Sequence, residues 1–284
     1  MSCGEAFSER VENAHNTNCV GMAVRCPPGG SSLCGLCGRD RLIARFAKVS
    51  TKKRKIPWMD SSLQTETLQR IQAALESARQ VFARFTAGEI EAEYKAGHDP
   101  VTEADMAVDA VLRQELLGAD EGWLSEESVD DLSRLEKKRV WVVDPLDGTR
   151  EFVAGIPEFC VSVAMVEDGI PVAGGICNPA TSEIFLGSLD SGVTYNGKPV
   201  RASQRTAIEG SVILASRSET RRGDWKRFDN SPLQIRPMGS VAYKLALVAA
   251  GLADITFTLT PKNDWDIAAG AALVSSAGGF VSTL

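Results

Sequence analysis

The sequence predicts a layered α/β (α+β) protein. Three observations carry that expectation. Apolar residues recur at helical spacing early in the main body, a central stretch alternates as strands closed by turn residues, and strand and helix patterns alternate in the last third. The chain has 284 residues, of which 44% are hydrophobic and 24% charged, enough for one large domain or two small ones.

The elements follow in order. Residues 1–62 show no sustained periodicity, are rich in Gly, Ser, Asn and Arg, and hold Cys3, Cys19, Cys26, Cys34 and Cys37. Cys34 and Cys37 have zinc-knuckle spacing, but Cys19 and Cys26 stand too far apart for a second knuckle. The segment reads as a poorly ordered N-terminal extension, with Lys52–Lys55 a solvated basic linker. From residue 63 the pattern changes: Leu68, Ile71, Leu75, Ala78, Phe82 and Phe85 line one face of a long helix. The stretch "TEADMAVDAVLRQELL" puts Val108, Val111, Leu112 and Leu116 on the stripe of a second. "VWVVD" reads as a strand, and Phe159 to Ser188 as three more, with turns at Asp168-Gly169 and near Asn178-Pro179. Asn196-Gly197 is a strong hairpin signal. Then "SVILAS" reads as a strand, "SVAYKLALVAAG" as a helix ending at Gly251, "ADITFTL" as a strand and "DWDIAAGAALVSSAGG" as a helix, before "FVSTL" opens another strand.

Several function classes drop out. A net charge of −6 offers no basic face for a nucleic acid polymer. With no run of eighteen apolar residues, no membrane-spanning helix is expected. The first residues lack a charged start followed by an apolar core, so a cytoplasmic protein is expected. Seven cysteines is an odd number, which argues against a complete disulfide framework.

The informative stretch is "WVVDPLDGTREF", Trp141 to Phe152, where an apolar run ends in Asp144 and a second aspartate, Asp147, follows Pro145 and Leu146. Alone it reads equally as a surface turn. Other acids share its placement: Glu126 and Glu127 end a short apolar segment, Asp105 stands near the start of the second helix, and Asp266 starts the last. Each alone reads as an N-cap or a surface charge. Carboxylates at strand ends and helix starts can instead converge on one sheet edge and hold hard cations such as Mg²⁺ through oxygen.

Taken together, "DPLDGT" after an apolar strand, "WDIAAG" near the end, and upstream "EES" and "TEAD" resemble the inositol monophosphatase superfamily, over residues 63–284. The resemblance implies a catalytic domain with the α-β-α-β-α sandwich of the sugar-phosphatase type, with the C-terminal elements of that fold expected to be missing. It implies Mg²⁺-dependent phosphate monoester hydrolysis with two or three ions and a small-molecule phosphate ester as substrate. By the same resemblance Glu126, Asp144, the Leu146 carbonyl, Asp147 and Asp266 hold metal, while Thr149, Glu126 and Asp105 activate the attacking water. Gly148 lets backbone approach the phosphate, and the helix after it offers its N–H groups to the anion. Asp147, Gly148, Thr149, Gly239, Ser240 and Lys244 are the expected substrate contacts. Cys160 and Cys177 read as core residues, and His15 and His98 stand outside the motifs.

For the substrate, "DGTREF" looks more like the 3'(2'),5'-bisphosphate nucleotidase branch, as does Lys244, seven residues before Gly251. Inositol enzymes place a glutamate seven residues before the last metal aspartate, where this chain has Leu259. A bisphosphate nucleotide is therefore the expected substrate and inositol monophosphate the alternative. A catalytically inactive binding relative is an alternative of another class, opposed by the full set of matched ligands. A homodimer is a further expectation. Residues 1–62 carry none of the matched motifs, so their deletion is expected to leave kcat/KM within a few-fold; stoichiometric zinc on Cys34 and Cys37, or a collapse of phosphate release, would show otherwise.

Overall fold

A computed structural model describes residues 20–23, 61–94 and 100–283. The readings made for Cys34, Cys37, Lys52–Lys55, His15 and His98 lie outside these residues. In chain order the elements are β1 (Val20–Ala23), α1 (Ser61–Phe82), β2 (Glu93–Tyr94), β3 (Pro100–Val101), α2 (Glu103–Leu116), β4 (Gly122–Ser125) and β5 (Arg139–Asp147). There follow α3 (Thr149–Val153), β6 (Cys160–Glu167), β7 (Ile170–Asn178), β8 (Glu183–Ser188), β9 (Gly192–Tyr195) and β10 (Lys198–Val200). The rest is β11 (Val212–Ser216), α4 (Arg217–Arg222), β12 (Gln234–Met238), α5 (Val241–Ala249), β13 (Ile255–Thr256), α6 (Asp264–Ser276) and β14 (Phe280–Thr283).

Seven strands form the large sheet in the order β10-β9-β8-β7-β6-β5-β4, antiparallel except for the β4–β5 pair. Its strands are apolar on both sides because both sides are covered. Along β5, Trp141 and Val143 face α1 and α2, in a core shared with Ile71, Leu75, Val108 and Leu112. Val140 and Val142 face the opposite way, into a core shared with Leu245, Ala246, Ala269 and Leu273 of α5 and α6. Beyond α5 lies the parallel sheet β12-β11-β13, whose Ile213 and Ala215 pack with Trp225. Helices, sheet, helices and sheet, with α4 outermost, make the expected α-β-α-β-α sandwich.

The glycine pair in β7 sets the spacing of the central layers. A Cβ on Gly174 would lie 2.6 Å from the carbonyl oxygen of Ala269 in α6, and one on Gly175 would lie 2.3 Å from the Ile71 side chain in α1. Only bare backbone lets both helices come this close to one strand.

Several elements differ from the sequence expectation for identifiable reasons. The "ADITFTL" strand reduces to Ile255–Thr256, because the backbone N–H groups of Leu259 and Thr260 donate to the Glu219 carboxylate (2.9 and 3.1 Å) rather than to a ladder. The strand β12 lacks a clean alternation because it is an edge containing Arg236 and Pro237, with no buried residue. Within the expected extension, Val20–Ala23 is a strand, paired antiparallel with Phe280–Thr283. No helix of the described residues is long and apolar enough to cross a membrane.

The Ala269 contact yields a stability prediction. Gly174→Ala forces α6 off the sheet and should cost about 1–3 kcal/mol, the usual penalty for overpacking. Urea unfolding measures it, and an unchanged midpoint would show that α6 does not depend on this approach.

Candidate metal and phosphate site

The irregular end of β5 is the first builder of the site. Asp144 pairs with Ser162 and Asp147 with Cys160, so three steps on β5 oppose two on β6. That is a β-bulge. In a regular strand residues three apart point to opposite faces. The extra residue puts Asp144 and Asp147 on the same face, the one covered by α5 and α6. Pro145 has no N–H to give to a ladder and is tolerated at such a bulge. Gly148 then turns the chain with φ 100, and a Cβ there would sit 2.9 Å from the Glu158 carbonyl oxygen. The helix that follows, α3, spans only Thr149–Val153.

Asp266 comes from α6. It is the third helical residue and completes a capping box with Asn263, its Oδ2 accepting from the Asn263 N–H at 2.9 Å. Asp105 occupies the same position in α2, where Oδ2 accepts from the N–H and hydroxyl of Thr102 at 2.7 and 2.6 Å. Each cap consumes one oxygen. The other oxygen of Asp105 accepts from the Thr149 hydroxyl at 3.2 Å, a hydroxyl that also lies 3.0 Å from the Leu146 carbonyl. One oxygen of Asp105 thus caps α2 while the other meets Thr149.

Asp144, Asp147 and Asp266 come together with one oxygen of each within 4.8 Å of the others. Asp147 Oδ2 accepts from the Ser240 hydroxyl at 2.7 Å and from the Ala242 N–H at the start of α5. Asp144 Oδ1 accepts from the Leu146 N–H at 3.0 Å, while its Oδ2 is buried with no hydrogen-bond partner. Burial, then the charges of Glu126 and Asp147, push the Asp144 carboxyl well above its usual range. Burial and Asp147 push Asp266 up to about 7. An orphaned carboxylate oxygen among three converging acids, all of them oxygen donors, fits a hard divalent cation. Glu126 is outside this tightest group but stands close enough to be the strongest charge acting on Asp144. Its loop begins at the end of β4, where the Glu126 N–H donates to the Val143 carbonyl at 3.4 Å.

Of the expected substrate contacts, Gly239 and Ser240 lead into α5. Ser240 adopts φ 53, and its hydroxyl caps the helix at Tyr243 N–H, 3.0 Å away, while donating to Asp147. The Gly239 N–H donates to Glu158 at 2.7 Å, and Glu158 is bound in turn by Arg217. Lys244 departs from expectation. Its side chain is 3% exposed, and its ammonium lies 3.5 Å from the Met238 carbonyl. Burial draws that ammonium down to about 8. It lines a small pocket with Val241, Thr256 and Thr258. Sequence reading passed over Asp109, Glu158 and Arg217; the serines flanking Glu126 and the acids just after "DGT" were the signals available.

Comparison with known proteins gives the family and the fold. The sequence profile of the inositol monophosphatase family matches residues 61–284. The inositol-1-monophosphatase of Mesorhizobium japonicum is 35% identical over 226 residues, spanning 75% of this chain and 84% of that protein. The fructose-1,6-bisphosphatase/inositol-1-monophosphatase of Thermotoga maritima is 34% identical over 194 residues, spanning 67% and 74%. An inositol monophosphatase structure from Anabaena (Nostoc) superposes with a TM-score of 0.66 at 29% identity, spanning 78% of this chain and 84% of that one.

The raised carboxyls make a pH prediction for the metal-free protein. A raised folded-state value means that the fold favours the protonated form. The stability from Asp266 is therefore complete below its unfolded value near 4 and is lost as pH rises through about 7. In EDTA, part of the protein's stability should fall across that window, and Mg²⁺ should raise Tm more at pH 8 than at pH 5. Asp144→Asn, which removes one repelling charge, should flatten the difference. Thermal melts at both pH values decide it, and equal Mg²⁺ shifts at pH 5 and pH 8 would contradict the charge argument.

Proposed function

The chain belongs to the inositol monophosphatase family and is a magnesium-dependent phosphoric monoester hydrolase, and on that premise we propose that it cleaves the phosphate ester of a small polyol, with inositol 1-phosphate as leading substrate. The observation that carries the reaction class is the orphaned Asp144 oxygen inside the three-aspartate group, next to the Thr149–Asp105 pair. Glu126, Asp144, the Leu146 carbonyl, Asp147 and Asp266 hold two or three Mg²⁺ ions in this reading. A cation there supplies Lewis-acid charge that eases deprotonation of water and offsets charge on the phosphate.

The protein's own groups do the rest. With its proton committed to Asp105 and the Leu146 carbonyl, the Thr149 hydroxyl turns lone pairs outward and accepts a hydrogen bond from the attacking water. Burial raises the Asp105 carboxyl, which suits it to take up a proton passed through Thr149. Glu126 completes the charge that orients the water. The backbone of Gly148 and Thr149 meets the phosphate, and the Gly239-Ser240 turn borders the leaving group. Lithium inhibition, a cytoplasmic location and a homodimer belong to the same proposal.

Two observations bear on the leaving group. The relatives named above are inositol and sugar phosphatases, and the buried Lys244 is not presented to a second phosphate. A specific observation favours a second reading, a 3'(2'),5'-bisphosphate nucleotide: Leu259 packs with the apolar cluster around Ile213 and Trp225 and brings no carboxylate to an inositol hydroxyl. The deciding measurement is kcat/KM for inositol 1-phosphate and 3'-phosphoadenosine 5'-phosphate, in wild type and Lys244→Ala. The expected outcome is a preference for inositol 1-phosphate and similar changes for both substrates. A preference for the nucleotide, lost by about tenfold or more in Lys244→Ala, would move the assignment to the second reading.

A further inference from the structure

The helix α2 carries two buried carboxylates one turn apart, and the reaction as described uses only Asp105. The other is Asp109, 8% exposed and on the same face. Its Oδ1 accepts from the Ser125 hydroxyl at 2.5 Å, and its Oδ2 accepts from the Ser128 hydroxyl at 2.7 Å. Those serines bracket Glu126 and Glu127. Each hydroxyl is also an acceptor: Ser125 from the Glu127 N–H at 3.3 Å, and Ser128 from the Trp123 indole at 3.4 Å. The donors fix the direction of both chains, so both hydroxyl protons point at Asp109. A carboxylate is the side chain with two acceptor oxygens and no donor, and it suits two inward-pointing hydroxyls. The backbone of Glu126 joins β5 through its N–H, which donates to the Val143 carbonyl at 3.4 Å.

We propose that Asp109 is a positioning residue for metal binding: it grips both ends of the Ser125–Ser128 loop and thereby sets where Glu126 stands against Asp144. The proposal rests on the reading of Glu126 as a metal ligand. Through Asp105 and Asp109, α2 then fixes in one rigid body the threonine that orients the water and the loop that carries Glu126. Hydrogen-bond partners behind metal ligands typically contribute about 10–100-fold in metal affinity.

The test uses the full chain, with Mg²⁺ binding followed by calorimetry for wild type, Asp109→Asn, Ser128→Ala and Glu126→Gln, and with thermal melts in EDTA. Asp109→Asn keeps one acceptor, and Ser128→Ala removes one grip from a partly exposed loop, so both should fold. The expected result is Mg²⁺ binding weakened about tenfold or more in both, with melting in EDTA near that of wild type and kcat at saturating Mg²⁺ within a few-fold. If Glu126→Gln binds weakly while Asp109→Asn and Ser128→Ala bind as wild type, Asp109 does not position the ligand. If Asp109→Asn loses melting temperature and kcat together while Ser128→Ala binds normally, its role is structural and the proposal fails. If Glu126→Gln itself binds normally, the fault lies in the ligand assignment, and the proposal falls with it.

Discussion

Three aspartates whose oxygens lie within 4.8 Å of one another are the constraint on which this structure turns. Like charges that close repel by about 3–4 kcal/mol per pair at an effective dielectric near 20. A chain does not gather them without holding each one. Asp144 is held by the Leu146 N–H, Asp147 by the Ser240 hydroxyl and Ala242 N–H, and Asp266 by the Asn263 N–H. Most of these donors belong to helix starts or the turns before them. The N-termini of α5 and α6 meet the acids directly, and partial positive charge there favours a carboxylate by about 0.3–1 kcal/mol each. Backbone geometry thus offsets part of the repulsion, and a cation would offset the remainder.

The rest of the fold keeps those helix starts in place. Asp144 and Asp147 are on β5, Asp266 on α6, Ser240 ahead of α5, and Asp105 on α2. These elements belong to three successive layers. A shift of one layer by an ångström would open the site. Bare glycine backbone in β7 lets α1 and α6 press on its two faces, and on the far side Arg70 of α1 binds Glu121, which also accepts from the Trp141 indole at 2.8 Å. Stability and site geometry here have the same source.

Much of this was legible in the sequence, because the strongest local signals are also functional. "DPLDGT" is readable since a bulge, a proline and a left-handed glycine leave an unmistakable residue pattern. "TEAD" and "NDWD" are readable since a capping box has a fixed spacing. What escaped lies in long-range pairing. Nothing near Glu219 says that it will take the N–H groups of Leu259 and Thr260, 40 and 41 residues away, and so end a strand early. Lys244 has helical spacing from its apolar neighbours and a charge that suggests a ligand, but only the packing of β13 and α6 against α5 shows it to be enclosed. Asp109 reads as one more acid on a polar helix until Ser125 and Ser128 are brought beside it.

The enclosure of Lys244 bears on how substrate choice arises in this chain. An ammonium with one long contact to a carbonyl is an incompletely satisfied buried cation, and such groups are costly to keep. Its field reaches Asp147, Glu219 and Glu151, each of which favours its charged form. Lys244 therefore offsets negative charge behind the aspartates from within the protein, as the metal would from the solvent side. In the proposed reading it acts on the electrostatics of the whole site rather than on one leaving group. Discrimination then falls to the Gly239-Ser240 turn, whose glycine N–H is fixed by Glu158; the Thr258–Thr260 segment is fixed in the same way by Glu219. Each segment is set by a carboxylate from elsewhere in the chain, Glu158 partly buried and Glu219 buried, so the geometry of this site is a property of its supports as much as of its lining.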